Sequence, residues 1–277
     1  MDLRPFLDED VGSGDITAET FVPDVQGRAC IICEEDAVVA GLEEAAEIFR
    51  LLGVSSEKLT ADGGRVPKGA KVMTVSGPLR GILTGERVAL NFLMRMSGIA
   101  TGTDSAVRRI RTKDPDLMIA GTRKTTPGFR AFEKKAVSLG GGWPHRNGLY
   151  DMVLIKDNHI LACGGVGKAM ELTRNVPKGM KTEIEVENIG DGILAAEMGA
   201  DIIMADHMSP SETKELREKA RSINSNILIE ASGNITEDNV TDFAGCADIV
   251  SLGSLTHSSK AVHFSLDVEP FSAGRSE

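Results

Sequence analysis

"DIIMADHMSP", Asp201 to Pro210, holds a complete structural junction. Asp201–Ala205 is an apolar run of strand length. Asp206-His207 is a polar exit. Ser209-Pro210 is a helix start, because serine caps well and proline suits the first helical turn, where its missing N–H would have no partner anyway. Strand, polar turn and helix make one β/α unit.

The same unit recurs on both sides. Strand-like runs lie at Leu117–Gly121, Met152–Ile155, Thr182–Glu187, Ile227–Ala231 and Asp248–Leu252. Helical patterns lie between them, around Phe129–Leu139, Val166–Asn175, Asp191–Met198, Ser211–Ile223 and Thr236–Phe243. Strand–helix alternation implies parallel strands with right-handed crossovers. A barrel and a doubly wound sheet fit it equally. The earlier chain reads differently. "GRACIIC", "AVVAG" and "KVMTVSG" are strand-like around a helix at Leu42–Leu52, and helical periodicity runs from about Leu83 to Arg111. This part is α+β, with a boundary near residue 105 to 115. A last strand-like piece, Val262–Val268, is placed back in the first domain.

The 277 residues carry 31 basic and 41 acidic side chains, a net charge of −10. An acidic chain lacks the broad basic surface that a nucleic-acid backbone requires. It has no apolar run of membrane-spanning length and no apolar leader at Met1-Asp2-Leu3-Arg4, so a cytoplasmic location is expected. Cys30 and Cys33 form a CxxC with no second pair, on a strand where residues three apart face opposite ways; buried structural thiols are the better reading.

Against that acidic background, "GTRKTTPGFR" (Gly121–Arg130) concentrates cations. It follows the first strand of the alternating part. Lys156-Asp157-Asn158-His159 follows the second. The third carries Glu183, Glu185 and Glu187 on one face, the fourth ends in Asp206-His207, the fifth in Ser232-Gly233-Asn234, and the sixth in Gly253-Ser254 with His257 beyond. Polar chemistry at the C-terminal end of six successive strands is what an α/β active site looks like in sequence. Arg123, Lys124, His145, Arg146 and Lys156 then gather at one mouth with Glu185 and Asp206, and the Gly/Ser loops suit a phosphate. Arg130, Lys134 and Lys135 are read as solvated helix positions, and His159 and His263 as structural. "GGVGK" (Gly164–Lys168) lacks the spacing and hydroxyl of a phosphate-binding P-loop.

"GTRKTTPGFRAFEKKAV", "GGGWPHRNGLYDMVLIKDNHI", "EVEN", "ADHMSP", "EASGNI" and "VSLGSLTHS" together closely resemble the quinolinate phosphoribosyltransferase (nicotinate-nucleotide pyrophosphorylase, carboxylating) family. "EDVGSGDIT" and "GERVALNFLMRMSGIAT" match as well, so the resemblance covers nearly the whole chain. It implies an N-terminal α+β sandwich domain over 1–108, completed by 264–277, and an incomplete, seven-stranded-type α/β barrel over 109–263. It implies transfer of the phosphoribosyl group of PRPP to quinolinate with loss of pyrophosphate and CO2, giving nicotinate mononucleotide on the de novo route to NAD. It also implies Mg2+, and a homodimer or higher assembly in which each barrel site is completed by the partner's first domain.

By the same resemblance, Arg123, His145 and Arg146 grip the two carboxylates, with Arg87 arriving from the partner subunit. Lys124 and Lys156 face the pyrophosphate. Ser232, Gly233, Asn234, Gly253 and His257 match the 5′-phosphate region. Glu185 and Asp206 match carboxylates near the ribose hydroxyls and Mg2+, and with the two lysines they form the expected catalytic set. Three positions depart from the family pattern: Gly121 stands for an aspartate, His207 for an asparagine and Asn234 for a glycine. Two other readings share the scaffold. One is a relative encoded with molybdate transporters, which typically lacks the lysine present here as Lys156. The other is a non-catalytic anion binder, which would have no need of both Glu185 and Asp206.

Overall fold

A computed structural model describes residues 1–269; the part of the 264–277 expectation from residue 270 onward lies outside the described residues. The chain divides into two units: Met1–Gly102 together with the segment from Ser259 onward, and Thr103–Ser258. Both the expected boundary after residue 108 and this one fall inside the same helix.

The first unit begins with two short helices that sequence patterning does not single out, α1 (Arg4–Val11) and α2 (Ile16–Phe21). Asp15 starts the second by accepting the Ala18 N–H at 2.9 Å. Strand β1 (Gln26–Cys33) pairs antiparallel with β5 (Ala70–Pro78) on one side and with the last strand of the chain, Phe264–Val268, on the other. The short β3 (Ser55–Lys58) extends the far edge, and β2 (Ala37–Val38) pairs with β4 (Arg65–Val66). Helix α3 (Leu42–Leu51) turns Leu42, Ala45, Ile48 and Phe49 inward, the spacing of a one-faced helix. Cys30 and Cys33 are buried free thiols whose pKa values are pushed up by burial, so neither is poised for redox or metal chemistry. Helix α4 runs from Leu79 to Arg111 without a break, starting one turn before the expected Leu83.

The second unit is a six-stranded parallel sheet: β6 (Met118–Ala120), β7 (Val153–Ile155), β8 (Thr182–Val186), β9 (Ile202–Asp206), β10 (Leu228–Ser232) and β11 (Ile249–Ser251), in spatial order β6-β11-β10-β9-β8-β7. All six expected strands are there. Helices α5 (Arg130–Leu139), α6 (Asp157–Cys163), α7 (Val166–Glu171), α8 (Ile189–Glu197), α9 (Pro210–Ile223) and α10 (Ser254–His257) follow strands along the chain. Ser209 caps α9 with Pro210 at its start, as the opening stretch implies. The helix expected over Thr236–Phe243 shrinks to a 3-10 turn at Val240–Phe243, because Asn239 Oδ1 accepts the Thr236 N–H and holds the preceding residues in a turn.

At the place of a seventh strand, Trp143 makes a single parallel bridge to Ala120 on the free edge of β6. The ladder ends there because His145, the next residue whose N–H would face β6, has φ 57 and turns the backbone out of the strand. The chain is therefore made of an N-terminal domain and an incomplete α/β barrel. Strand residues alternate between two cores. Ile184, Val186, Ile203, Ala205 and Ile229 pack outward under α7, α8 and α9. Ile202, Ile249, Ala120 and Met152 pack inward with Trp143 and Leu228. Above that inward layer, Glu185, Met204 and Glu230 stand level with one another, and Asp206 pairs in register with Ser232 above them. Apolar residues thus fill the base of the barrel and polar ones its C-terminal mouth.

Candidate active site

The mouth is a cavity of about 490 Å3 lined entirely by the second unit. Of the expected residues, Arg123, Lys124, His145, Arg146, Lys156, Glu185, Asp206, Ser232, Gly233 and Asn234 line it. Gly253 and His257 stand just behind Lys124: a Cβ added to Gly253 would lie 3.1 Å from both Lys124 Cδ and His257 Nε2. Thr256 fixes that corner by donating its hydroxyl to the Lys124 carbonyl at 2.8 Å. Arg87 belongs to the first unit, where it is exposed on α4 and makes no hydrogen bond among the described residues.

The cationic wall is built by two loops that lie side by side. Gly121 donates its N–H to the Trp143 carbonyl at 2.9 Å, which brings Arg123 next to the His145-Arg146 pair. Arg123 has a buried Nε with no hydrogen-bond partner among the described residues. Arg146 is buried too, and its nearest acceptor is the Met152 carbonyl at 3.5 Å. Burial, then the neighbouring charge of Arg123, lowers the pKa of Arg146. Two guanidiniums in one wall, one with an orphaned buried donor, are suited to hold an anion.

Lys134 is not the solvated helix residue its place on α5 suggests. It is 3% exposed, and its ammonium donates to the Pro144 carbonyl beneath the wall. Burial lowers its pKa to about 8, with Arg130 adding to the effect. Arg130 bonds the Thr125 hydroxyl at 3.0 Å and the Asn147 carbonyl at 3.1 Å, and so braces the same loops.

The opposite wall holds the carboxylates, each with its own partner. Lys156, which precedes α6, forms an ion pair with Glu185. Asp206 is bonded to His207, Oδ2 to Nδ1 at 2.8 Å. His159 supports Lys156 from behind, its Nδ1 accepting the Lys156 N–H at 2.9 Å, a structural part as expected. As hard oxygen donors on an open pocket wall, Glu185 and Asp206 suit a Mg2+ ion that keeps water and takes its other ligands from substrate phosphates.

Below the wall lies a feature that sequence reading does not assemble. His145 Nε2 is 3.1 Å from Glu230 and 3.3 Å from Glu183, and both glutamates are wholly buried. Ser251 donates its hydroxyl to the other oxygen of Glu230. His145 is held with φ 57, and its Nδ1 accepts the Arg146 N–H at 2.8 Å. Both ring nitrogens are therefore engaged within the protein, so His145 carries Arg146 rather than offering a free nitrogen to the cavity. Burial opposes charge on His145, but its hydrogen bonds to Glu183 and Glu230 outweigh this and raise its pKa to about 9. Burial, then the charge of Glu230, raises that of Glu183 to about 7. Neutral imidazole with a protonated Glu183 contains as many protons as imidazolium with an ionised Glu183. The Arg146 N–H aimed at Nδ1 selects the first. The available signal was Glu183 and Glu230, charged residues inside apolar strands; their shared partner, more than thirty residues upstream, is a tertiary fact.

Residues 15–97 match the model of the quinolinate phosphoribosyl transferase N-terminal domain, and residues 99–267 that of its C-terminal domain. A protein of Archaeoglobus fulgidus named probable nicotinate-nucleotide pyrophosphorylase (carboxylating) is 43% identical over 258 residues, 92% of this chain and 98% of that one. The human nicotinate-nucleotide pyrophosphorylase (carboxylating) is 38% identical, over 86% of this chain and 81% of its own. The structure of the nicotinate-nucleotide pyrophosphorylase from Francisella tularensis superposes with a TM-score of 0.90 at 36% identity, covering 96% of this chain and 94% of that one.

Proposed function

The chain belongs to the quinolinate phosphoribosyltransferase family, and from that premise we propose that it is a decarboxylating phosphoribosyltransferase of NAD biosynthesis. It transfers the phosphoribosyl group of PRPP to quinolinate and yields nicotinate mononucleotide, pyrophosphate and CO2. One observation carries the reading to the site: the buried, unpartnered Nε of Arg123 beside Arg146, in a cavity whose other wall is acidic. A dicarboxylate satisfies the first wall, and a sugar developing positive charge is stabilised by the second.

In this reading each residue takes the role that the family resemblance implies, and its place in the cavity supports it. Arg123 and Arg146 bind the two carboxylates of quinolinate. His145, held by Glu183 and Glu230, sets the position of Arg146. Lys124 and Lys156 face the pyrophosphate, and Ser232, Gly233, Asn234, Gly253 and His257 take the 5′-phosphate with backbone N–H groups and side chains. The pyridine nitrogen attacks the anomeric carbon as the bond to pyrophosphate breaks, and Glu185 and Asp206 stabilise the cationic sugar. The ring, now cationic, accepts the electron pair left when the 2-carboxylate departs as CO2. A proton from solvent then takes that place. No covalent enzyme intermediate is required. Mg2+, held by Glu185 and Asp206, would supply charge compensation for the pyrophosphate leaving group.

The working form in this reading is a homodimer or larger assembly in which the partner subunit's Arg87 completes the acid-binding wall. Exposure of Arg87 and Asn91 within Gly85–Ala100, where the other residues are buried or half-buried, supports it. A cytoplasmic location belongs to the same reading: all four cysteines are free, and no helix among the described residues is long and apolar enough to cross a membrane. The experiment is a turnover assay. Quinolinate with PRPP should release CO2 and pyrophosphate together; binding without turnover would make this an anion-binding protein on the same scaffold.

A further inference from the structure

We infer that His207 is the positioning residue for Asp206, and that its Nδ1–H bond decides which carboxylate oxygen faces the sugar. The inference rests on the proposed function only for what that oxygen meets. The geometry is independent of it. Asp206 ends β9 in register with Ser232 at the end of β10. The ladder continues one residue further, His207 donating its N–H to the Ser232 carbonyl at 2.9 Å. There the backbone turns to φ 56, a conformation disfavoured for most side chains. The turn brings the imidazole back against its own neighbour, Nδ1 to Oδ2 of Asp206 at 2.8 Å.

The ring is held in place from the other side. A Cβ on Gly233 would sit 2.7 Å from His207 Cγ and Nδ1, so only glycine leaves space for the imidazole there. Gly233 and Asn234 adopt φ 91 and φ 54, so the loop after β10 turns where Gly233 meets the ring. The strained backbone of His207 thus has a definite result. An ionised carboxylate accepts, so Nδ1 must carry a proton in this bond. Oδ2 is then occupied, and Oδ1 has no partner among the described residues. A carboxylate fixed by a supporting hydrogen bond presents one oxygen in one direction, where an unsupported one would rotate.

The test uses the full chain at one pH. His207→Phe keeps a ring over Gly233 and removes the donor; His207→Asn tolerates the turn and restores an N–H donor. We expect His207→Phe to lower kcat by about tenfold, with the KM for quinolinate changed less than about twofold, and His207→Asn to recover kcat to within about threefold. His207→Phe should add no further loss on top of Asp206→Asn. A His207→Phe enzyme with wild-type kcat, or a double variant whose losses multiply, would overturn the inference. Should wild type fail to turn over quinolinate and PRPP, the proposed function falls, and nitrogen-15 NMR of histidine-labelled protein still decides the positioning claim. The wild-type His207 signals should show a protonated Nδ1 that shifts in Asp206→Asn. Identical signals in the two proteins would refute it.

Discussion

Arg123 and Arg146 stand together in one wall of the cavity, and the charge of Arg123 further lowers an Arg146 pKa already depressed by burial. Glu183 and Asp151 offset this only in part, and Arg123 Nε has no hydrogen-bond partner among the described residues. An anion that bridges both groups relieves the repulsion between them, so charge at position 123 should govern acid binding. Arg123→Ala is expected to weaken quinolinate binding by roughly 1.5–3 kcal/mol, the scale of a charged hydrogen bond. Isothermal titration of the folded variant measures it, and unchanged affinity would remove Arg123 from the site.

Nicotinate should be a poor substrate. It lacks the carboxylate whose departure follows ribosylation, and it would leave part of the arginine wall unpaired. Steady-state comparison of the two acids decides this. Comparable kcat/KM values would point to an enzyme of pyridine salvage.

Much of this site was open to sequence reading, for a physical reason. Strand-terminal residues such as Arg123, Lys156 and Asp206 follow apolar runs that announce themselves, and parallel strands deliver their C-terminal ends to one place. The cluster beneath was not legible. Glu183 and Glu230 appear as charges in strands, but only closure of the barrel brings His145 between them. Lys134 patterns as a solvated position but is buried, because a helix periodicity says which face a residue occupies and not what covers that face. The short helices α1 and α2 have too few turns for a period to show.

The buried cluster should tie stability to pH. The folded-state pKa of Glu183 is raised to about 7, and because the Arg146 N–H keeps His145 neutral, Glu183 holds the one extra proton of the cluster. The stability such a group lends is fully present below its unfolded value and is lost as pH rises through the folded one. Denaturant unfolding should therefore show stability falling between about pH 4.5 and pH 7, with a slope of up to ~1.4 kcal/mol per pH unit for that one proton. Glu183→Gln should flatten that fall. Equal slopes in the variant and wild type would mean the cluster takes up no proton on folding.

The shared-site proposal has its own test. Arg87→Ala and Lys156→Ala should each be inactive, since the two residues serve one site from different subunits. After subunit exchange of an equal mixture, half of the dimers carry one intact site of two, so roughly a quarter of wild-type activity should return. No recovery after exchange verified by mass spectrometry would confine Arg87 to its own subunit's site or to none.

In the proposed function, one pocket carries out both ribosyl transfer to quinolinate and its decarboxylation. Quinolinate labelled with radiocarbon in its 2-carboxylate tests it most directly. Labelled CO2 should appear one for one with pyrophosphate, only when PRPP is present, and should be lost in Arg123→Ala. Pyrophosphate release with the label retained in the product, or labelled CO2 without PRPP, would contradict the account.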